Sequence, residues 1–175
     1  MPTVNTYVQG LRERYHPRSI PDFDPKNGNE NAKFLFVLEA PGPMAMETGV
    51  VSYDNPDQTA RNFRDQLYEA SILRKDIAIW NLVPWYVGDE DRRQIRPVER
   101  DEVAAGIGHL LELLLLLPKL QCVVLVGGIA RKAHLALSSA TSARILTSHH
   151  SSARAMTAAR YAENVAIFKN LQAKT

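Results

Sequence analysis

The stretch from Lys33 to Glu39 reads KFLFVLE, and it constrains the fold more than any other part of the chain. Its apolar residues do not alternate with polar ones, so a strand built from them must bury both faces. A turn signal at Pro41-Gly42 closes the run. A strand apolar on both sides belongs inside a parallel sheet covered by helices above and below. Three other segments can supply its neighbours: Asp76 to Leu82 (DIAIWNL), Gln121 to Val126 (QCVVLV) and Arg144 to Ser148 (RILTS).

Helical patterns separate these segments. Residues 57–73 set Ala60, Phe63, Leu67 and Ala70 on one face. Pro97, followed by Glu99, Asp101 and Glu102, opens a helix expected to run to Leu117. Gly127-Gly128 turns into a helix ending near Ser138, and a last helix covers residues 155–172. An amphipathic helix over residues 3–15, capped by Thr3, precedes a proline-punctuated loop from His16 to Asn31. The stretch after Pro41-Gly42 and the charged segment Pro84 to Arg96 read as loops. Strict alternation of helix and strand predicts an α/β fold. The expected form is a three-layer α/β/α domain, residues 1–175, around a small, mainly parallel, four-stranded sheet.

Charge and cysteine content narrow the function. Lys plus Arg is 21 and Asp plus Glu is 19, so any contact with nucleic acid must come from a local patch. The single cysteine, Cys122, rules out an intrachain disulfide and a four-cysteine metal or iron–sulfur site. It opens a buried strand and reads as core. His149 and His150 are adjacent, and there is no HExxH motif or aspartate cluster, so no metal and no cofactor are expected. The first residues lack a signal-peptide core. The apolar run Leu110 to Pro118 is far shorter than the ~20 residues of a membrane span. A cytoplasmic monomer is the expectation.

Ligands of open α/β sheets bind beyond the carboxyl ends of the strands. Those ends carry Glu39, Asn81, Gly127 and His149. Glu39 is the most telling, because a carboxylate ending a buried strand is costly unless paired or functional.

The same residues resemble a known family. Leu38-Glu39-Ala40-Pro41-Gly42-Pro43 resembles the first motif of the uracil-DNA glycosylase superfamily, whose family-4 and family-5 branches carry the form GEAPG. Leu38 stands where that form has glycine. Ser148-His149-His150-Ser151-Ser152-Ala153-Arg154 corresponds to the second motif, a His-Pro-Ser sequence, with His150 at the proline. WNLVPW resembles the strand ending in the base-reading asparagine, and VLVGGIARKAHLAL the third strand and its helix.

The resemblance implies hydrolysis of the bond between uracil, or a related deaminated base, and deoxyribose, in DNA, after the base is flipped out. Glu39 would stabilise the cationic sugar or activate water. His149 would hydrogen-bond O2 of the departing base. Asn81 would read the base's polar edge, Tyr53 would stack on it, and Ala40, Pro41 and Gly42 would complete the pocket. His150, Ser151, Ser152 and Arg154 would contact DNA, with Arg92, Arg93, Arg131 and Lys132 as a basic rim. No lysine stands beside the motifs to form a Schiff base, so the enzyme would be monofunctional. The iron–sulfur cluster of the family-4 branch is excluded here, and the base could equally be hypoxanthine, xanthine or a damaged pyrimidine. Two other readings stay open: a degenerate member that binds DNA or a nucleobase without cleavage, and a small-molecule nucleoside hydrolase.

Overall fold

The computed structural model describes residues 3–92 and 94–173. Four strands form one all-parallel sheet: β2 (Phe34–Leu38), β4 (Ile77–Asn81), β5 (Cys122–Val126) and β6 (Arg144–Ser148). A two-stranded parallel ribbon joins β1 (Asp22–Phe23) to β3 (Val50–Val51). The helices are α1 (Val4–Tyr15), α2 (Pro43–Thr48), α3 (Gln58–Glu69), α4 (Arg100–Leu114), α5 (His134–Ala140) and α6 (Ala158–Lys169). The sheet order is β4-β2-β5-β6.

Both faces of the sheet are buried, as the uninterrupted apolar run requires. Leu35 and Val37 of β2 face a core shared with α1, α4 and α5. Phe34 and Phe36 face a second core, where Phe63 and Leu67 of α3 meet Phe168 of α6. The aromatic rings of Phe36, Phe63 and Phe168 pack edge to face, with centroids 5.0–6.0 Å apart. This is the expected three-layer α/β/α arrangement. The chain leaves β2 toward α3 on one face and β5 toward α5 on the other. A parallel sheet opens a crevice at such a reversal.

Local signals account for most boundaries. Thr3 caps α1 by accepting from the Thr6 N–H at 3.2 Å. Asp57 caps α3 by accepting from the Ala60 N–H at 2.8 Å. Glu99 and Glu102 form a capping box, so α4 begins at Arg100 and Pro97 lies before it. The same helix ends at Leu114, short of the expected Leu117, because the next three N–H groups bond carbonyls three residues back. Leu110, Leu113 and Leu117 are core, whereas Leu115 is 83% exposed.

The loops expected at residues 16–31 and after Gly42 are more structured than the sequence suggested. The first contributes β1, and the second contains α2 and β3. Their pairing lies between two-residue strands distant in sequence, which leave no periodic pattern. Arg93 lies outside the described residues. No helix among them is long and apolar enough to cross a membrane.

The segment between β4 and α4 is tied down by Glu102, whose side chain is 3% exposed. Its carboxylate accepts two bonds from Arg96 at 2.8 Å, one from Trp85 Nε1 at 3.0 Å and one from the Glu99 N–H at 2.9 Å. Arg96 above all holds its pKa down to about 2, against an ordinary 4.5. A depressed carboxylate pKa stabilises the fold above the unfolded value, and that stability is lost as pH falls through the folded one. Unfolding followed from pH 5 to pH 2 should therefore show a progressive loss. Glu102→Gln should flatten that dependence while costing roughly 3 kcal/mol at neutral pH, as removal of one member of a buried pair does.

Candidate active site

A cleft of about 700 Å³ opens at the carboxyl ends of the parallel strands. Its polar lining includes Glu39, Asn81 and His150, and Tyr53 and Phe63 contribute rings. Backbone bonds register the two strand ends beside each other. The Leu82 N–H donates to the Leu38 carbonyl at 2.8 Å, and the Val83 N–H to the Glu39 carbonyl at 3.0 Å. Pairing thus continues past β2 and β4 and fixes Glu39 alongside Asn81.

Asn81 is 3% exposed, yet its carboxamide makes no hydrogen bond among the described residues. Buried amides are nearly always paired, so a donor and acceptor left open in a cleft are available to a ligand. Glu39 is half-buried, and its carboxylate makes no hydrogen bond or ion pair among the described residues. Leu38, Ile79 and Phe63 supply apolar surface beside these groups. Ala40, Pro41 and Gly42 line the same cleft, where Gly42 leads into α2 with Pro43 at its first turn.

The two histidines part ways. His150 lines the cleft; His149 does not. The His149 ring turns toward α6 and pairs with Glu163 at 2.5 Å. His149, expected to act on the departing base, thus lies outside the cleft, and the imidazole that lines it with Glu39 and Asn81 is that of His150, expected to contact DNA. His150 Nδ1 accepts the Ser152 N–H at 3.1 Å, so a neutral ring carries its proton on Nε2. Burial pushes the His150 pKa below 6.5, and the Glu39 charge partly opposes that shift. Gly127 makes room for the ring. A Cβ there would stand 3.2 Å from both His150 Cβ and Cδ2, and its φ of +87° favours glycine.

Tyr53 reaches the cleft from the end of β3. It is 3% exposed. The Arg74 guanidinium lies 4.4 Å from its ring centroid and is itself held by Asp24 at 2.5 Å, Asp54 at 2.8 Å and Asn27 at 3.1 Å. Burial is the main cause raising the Tyr53 hydroxyl pKa to about 12, so it remains a neutral aromatic surface.

The expected DNA loop divides as well. Ser152 lines the cleft and Arg154 is exposed. Ser151, expected to contact DNA, is fully buried, with its hydroxyl donating to Gln66 at 3.2 Å. Arg131 donates to the Ser148 carbonyl at 3.2 Å. Cys122 is buried, and burial raises its thiol pKa to about 11, which makes it inert core. Among the described residues no three His, Cys, Asp or Glu side chains gather as a metal would require. Arg74 and the buried polar residues under the loop escaped sequence reasoning. Gln66 did leave a signal, a polar residue on the helical face that Phe63 and Leu67 turn to the core.

A family model described as the uracil DNA glycosylase superfamily matches residues 25–172. The fold is similar to the solution NMR structure of a presumed uracil DNA glycosylase from Methanosarcina acetivorans. The TM-score is 0.55 and the identity 18%, over 82% of this chain and 93% of that one. No curated protein matches the sequence.

The cleft geometry sets a titration test. The His150 ring should titrate below 6.5 when followed by NMR, and Glu39→Gln should lower its pKa further by removing the opposing charge. Gly127→Ala should displace the ring and cost about 1–2 kcal/mol, measured by denaturant unfolding.

Proposed function

The chain belongs to the uracil-DNA glycosylase superfamily, and from that premise we propose that it excises uracil or a related deaminated base from DNA. The observation carrying this reading is the convergence of three groups on one cleft: a carboxylate and a carboxamide without partners among the described residues, and an imidazole oriented by the Ser152 N–H.

The reaction breaks the bond between C1′ and the base nitrogen. Positive charge grows on the sugar and negative charge on the departing base. The base must first leave the stack and enter the cleft. Tyr53 and Phe63 offer it rings, and Leu38 and Ile79 offer aliphatic surface. Asn81 accepts from N3–H of uracil and donates to O4. Cytosine has no proton at N3 and carries a donor at position 4, so with the carboxamide in the orientation that suits uracil it leaves both amide atoms unpaired, a large penalty in a buried site. The Nε2–H of His150 donates to O2 as charge builds there. Because the ring is neutral, it adds a donor without having to lose a proton. Glu39 faces the cationic sugar and orients the water that adds to C1′. One water proton passes through the carboxylate, and the base finally leaves protonated. The chemistry uses no lysine and forms no covalent intermediate.

The assignment is tested with end-labelled oligonucleotides, single- and double-stranded, carrying one uracil, hypoxanthine or xanthine. Alkali reveals each abasic site. Glu39→Gln and His150→Ala should each slow excision by about 10²–10³-fold with little change in DNA affinity. His149→Ala should stay within about threefold of the wild type, as a surface change does. Asn81→Asp should alter base choice. Full activity of His150→Ala, with loss in His149→Ala, would return the role to His149. A wild type that binds DNA and releases no base would mark a binding protein.

A further inference from the structure

Under the two histidines lies a set of buried side chains that the excision chemistry does not use. Gln66 of α3, Asn164 of α6 and Ser151 are each 0% exposed. The Asn164 carboxamide takes both polar groups of one residue: its Oδ1 accepts the His149 N–H at 2.8 Å, and its Nδ2 donates to the His149 carbonyl at 3.0 Å. The same Nδ2 lies 3.4 Å from Gln66 Oε1, which also accepts the Ser151 hydroxyl at 3.2 Å. Asn62, one turn before Gln66 on α3, donates to the Ser151 carbonyl at 2.8 Å.

Polar side chains in a packed layer add little net stability over apolar ones of the same shape. What these supply is orientation. Asn164 holds the residue before His150 through its backbone, while Gln66 holds the hydroxyl and Asn62 the carbonyl of the residue after it. In extended chain, successive side chains alternate in direction. His149 points to Glu163 of α6 and Ser151 to Gln66 of α3, which leaves His150 the opposite side, the cleft. A slip of one residue would present the other imidazole.

We propose that Asn164 and Gln66 are positioning residues for His150. They select which of two adjacent histidines faces the cleft, and they keep the Ser152 N–H on its Nδ1. Asn62 supports them from the partly exposed end of the network. The proposal rests on the excision reading for its kinetic consequence, and on the hydrogen bonds around the loop for its structural one.

Two measurements test it. Two-bond ¹H–¹⁵N correlation reads the His150 tautomer without any catalysis. The wild type should show an unprotonated Nδ1 and a protonated Nε2, and Asn164→Ala should show a mixture. Single-turnover excision in a double-variant cycle with His150→Ala then asks whether Asn164 acts through that ring. Asn164→Ala should slow excision about 10²-fold, the scale expected of a small misplacement, and add nothing in the His150→Ala background. DNA affinity should hold within about threefold. Asn62→Ala should move both readouts in the same direction by less; if Asn164→Ala does not fold, it carries the comparison. A wild-type tautomer in a folded Asn164→Ala protein would overturn the proposal, as would an equal loss with and without His150. A wild type that excises nothing would refute the excision reading, while the tautomer measurement would still decide the positioning.

Discussion

Everything at this site depends on a parallel sheet buried on both faces. Parallel pairing brings the carboxyl ends of β2, β4, β5 and β6 to one edge, and burial holds the register that sets them side by side. Leu38 lies opposite Asn81 in that register, and Leu125 opposite Thr147. The groups beyond these ends then meet without any long loop having to find its place. A slip of one residue in β2 would turn Phe34 and Phe36 out of their core and would move Glu39 off the edge.

Within that frame the molecule treats its polar groups in two ways. Some are saturated. Glu102 accepts from Arg96, Trp85 and a backbone N–H, and Arg74 is shared among Asp24, Asp54 and Asn27. These groups fix loops. Among the described residues the Asn81 carboxamide and the Glu39 carboxylate make no internal bonds, although both border a partly apolar cleft. A fold tolerates unpaired polar groups at such a place where a ligand or water completes them. Buried polar atoms without a partner among the described residues also stand outside the cleft, including Asn27 Nδ2, Trp80 Nε1 and Ser148 Oγ, so it is the convergence of Asn81 and Glu39 on one cavity that sets them apart.

Much of this was legible in the chain. The four strands and five of the helices followed from uninterrupted apolar runs, capping residues and prolines. Glu39 and Asn81 were legible because each ends a buried strand, where a polar residue has few structural excuses. The choice between His149 and His150 was not. Both lie in the loop after β6, and the decision is made by Asn164 and Gln66, which approach from other helices. The burial of Ser151 was illegible for the same reason: in the sequence it is a loop serine, and only the approach of α3 buries it. The β1–β3 ribbon and α2 were missed because short elements stabilised by distant partners carry no periodicity of their own.

The central claim is that the cleft formed by Glu39, Asn81 and His150 receives an extruded base. A crystal structure of the Glu39→Gln protein with a uracil-containing oligonucleotide tests this most directly. The uracil should lie out of the stack, with its N3–H and O4 on Asn81 and its O2 within hydrogen-bond distance of His150 Nε2. A base lodged elsewhere, or His149 turned in to meet O2, would contradict it.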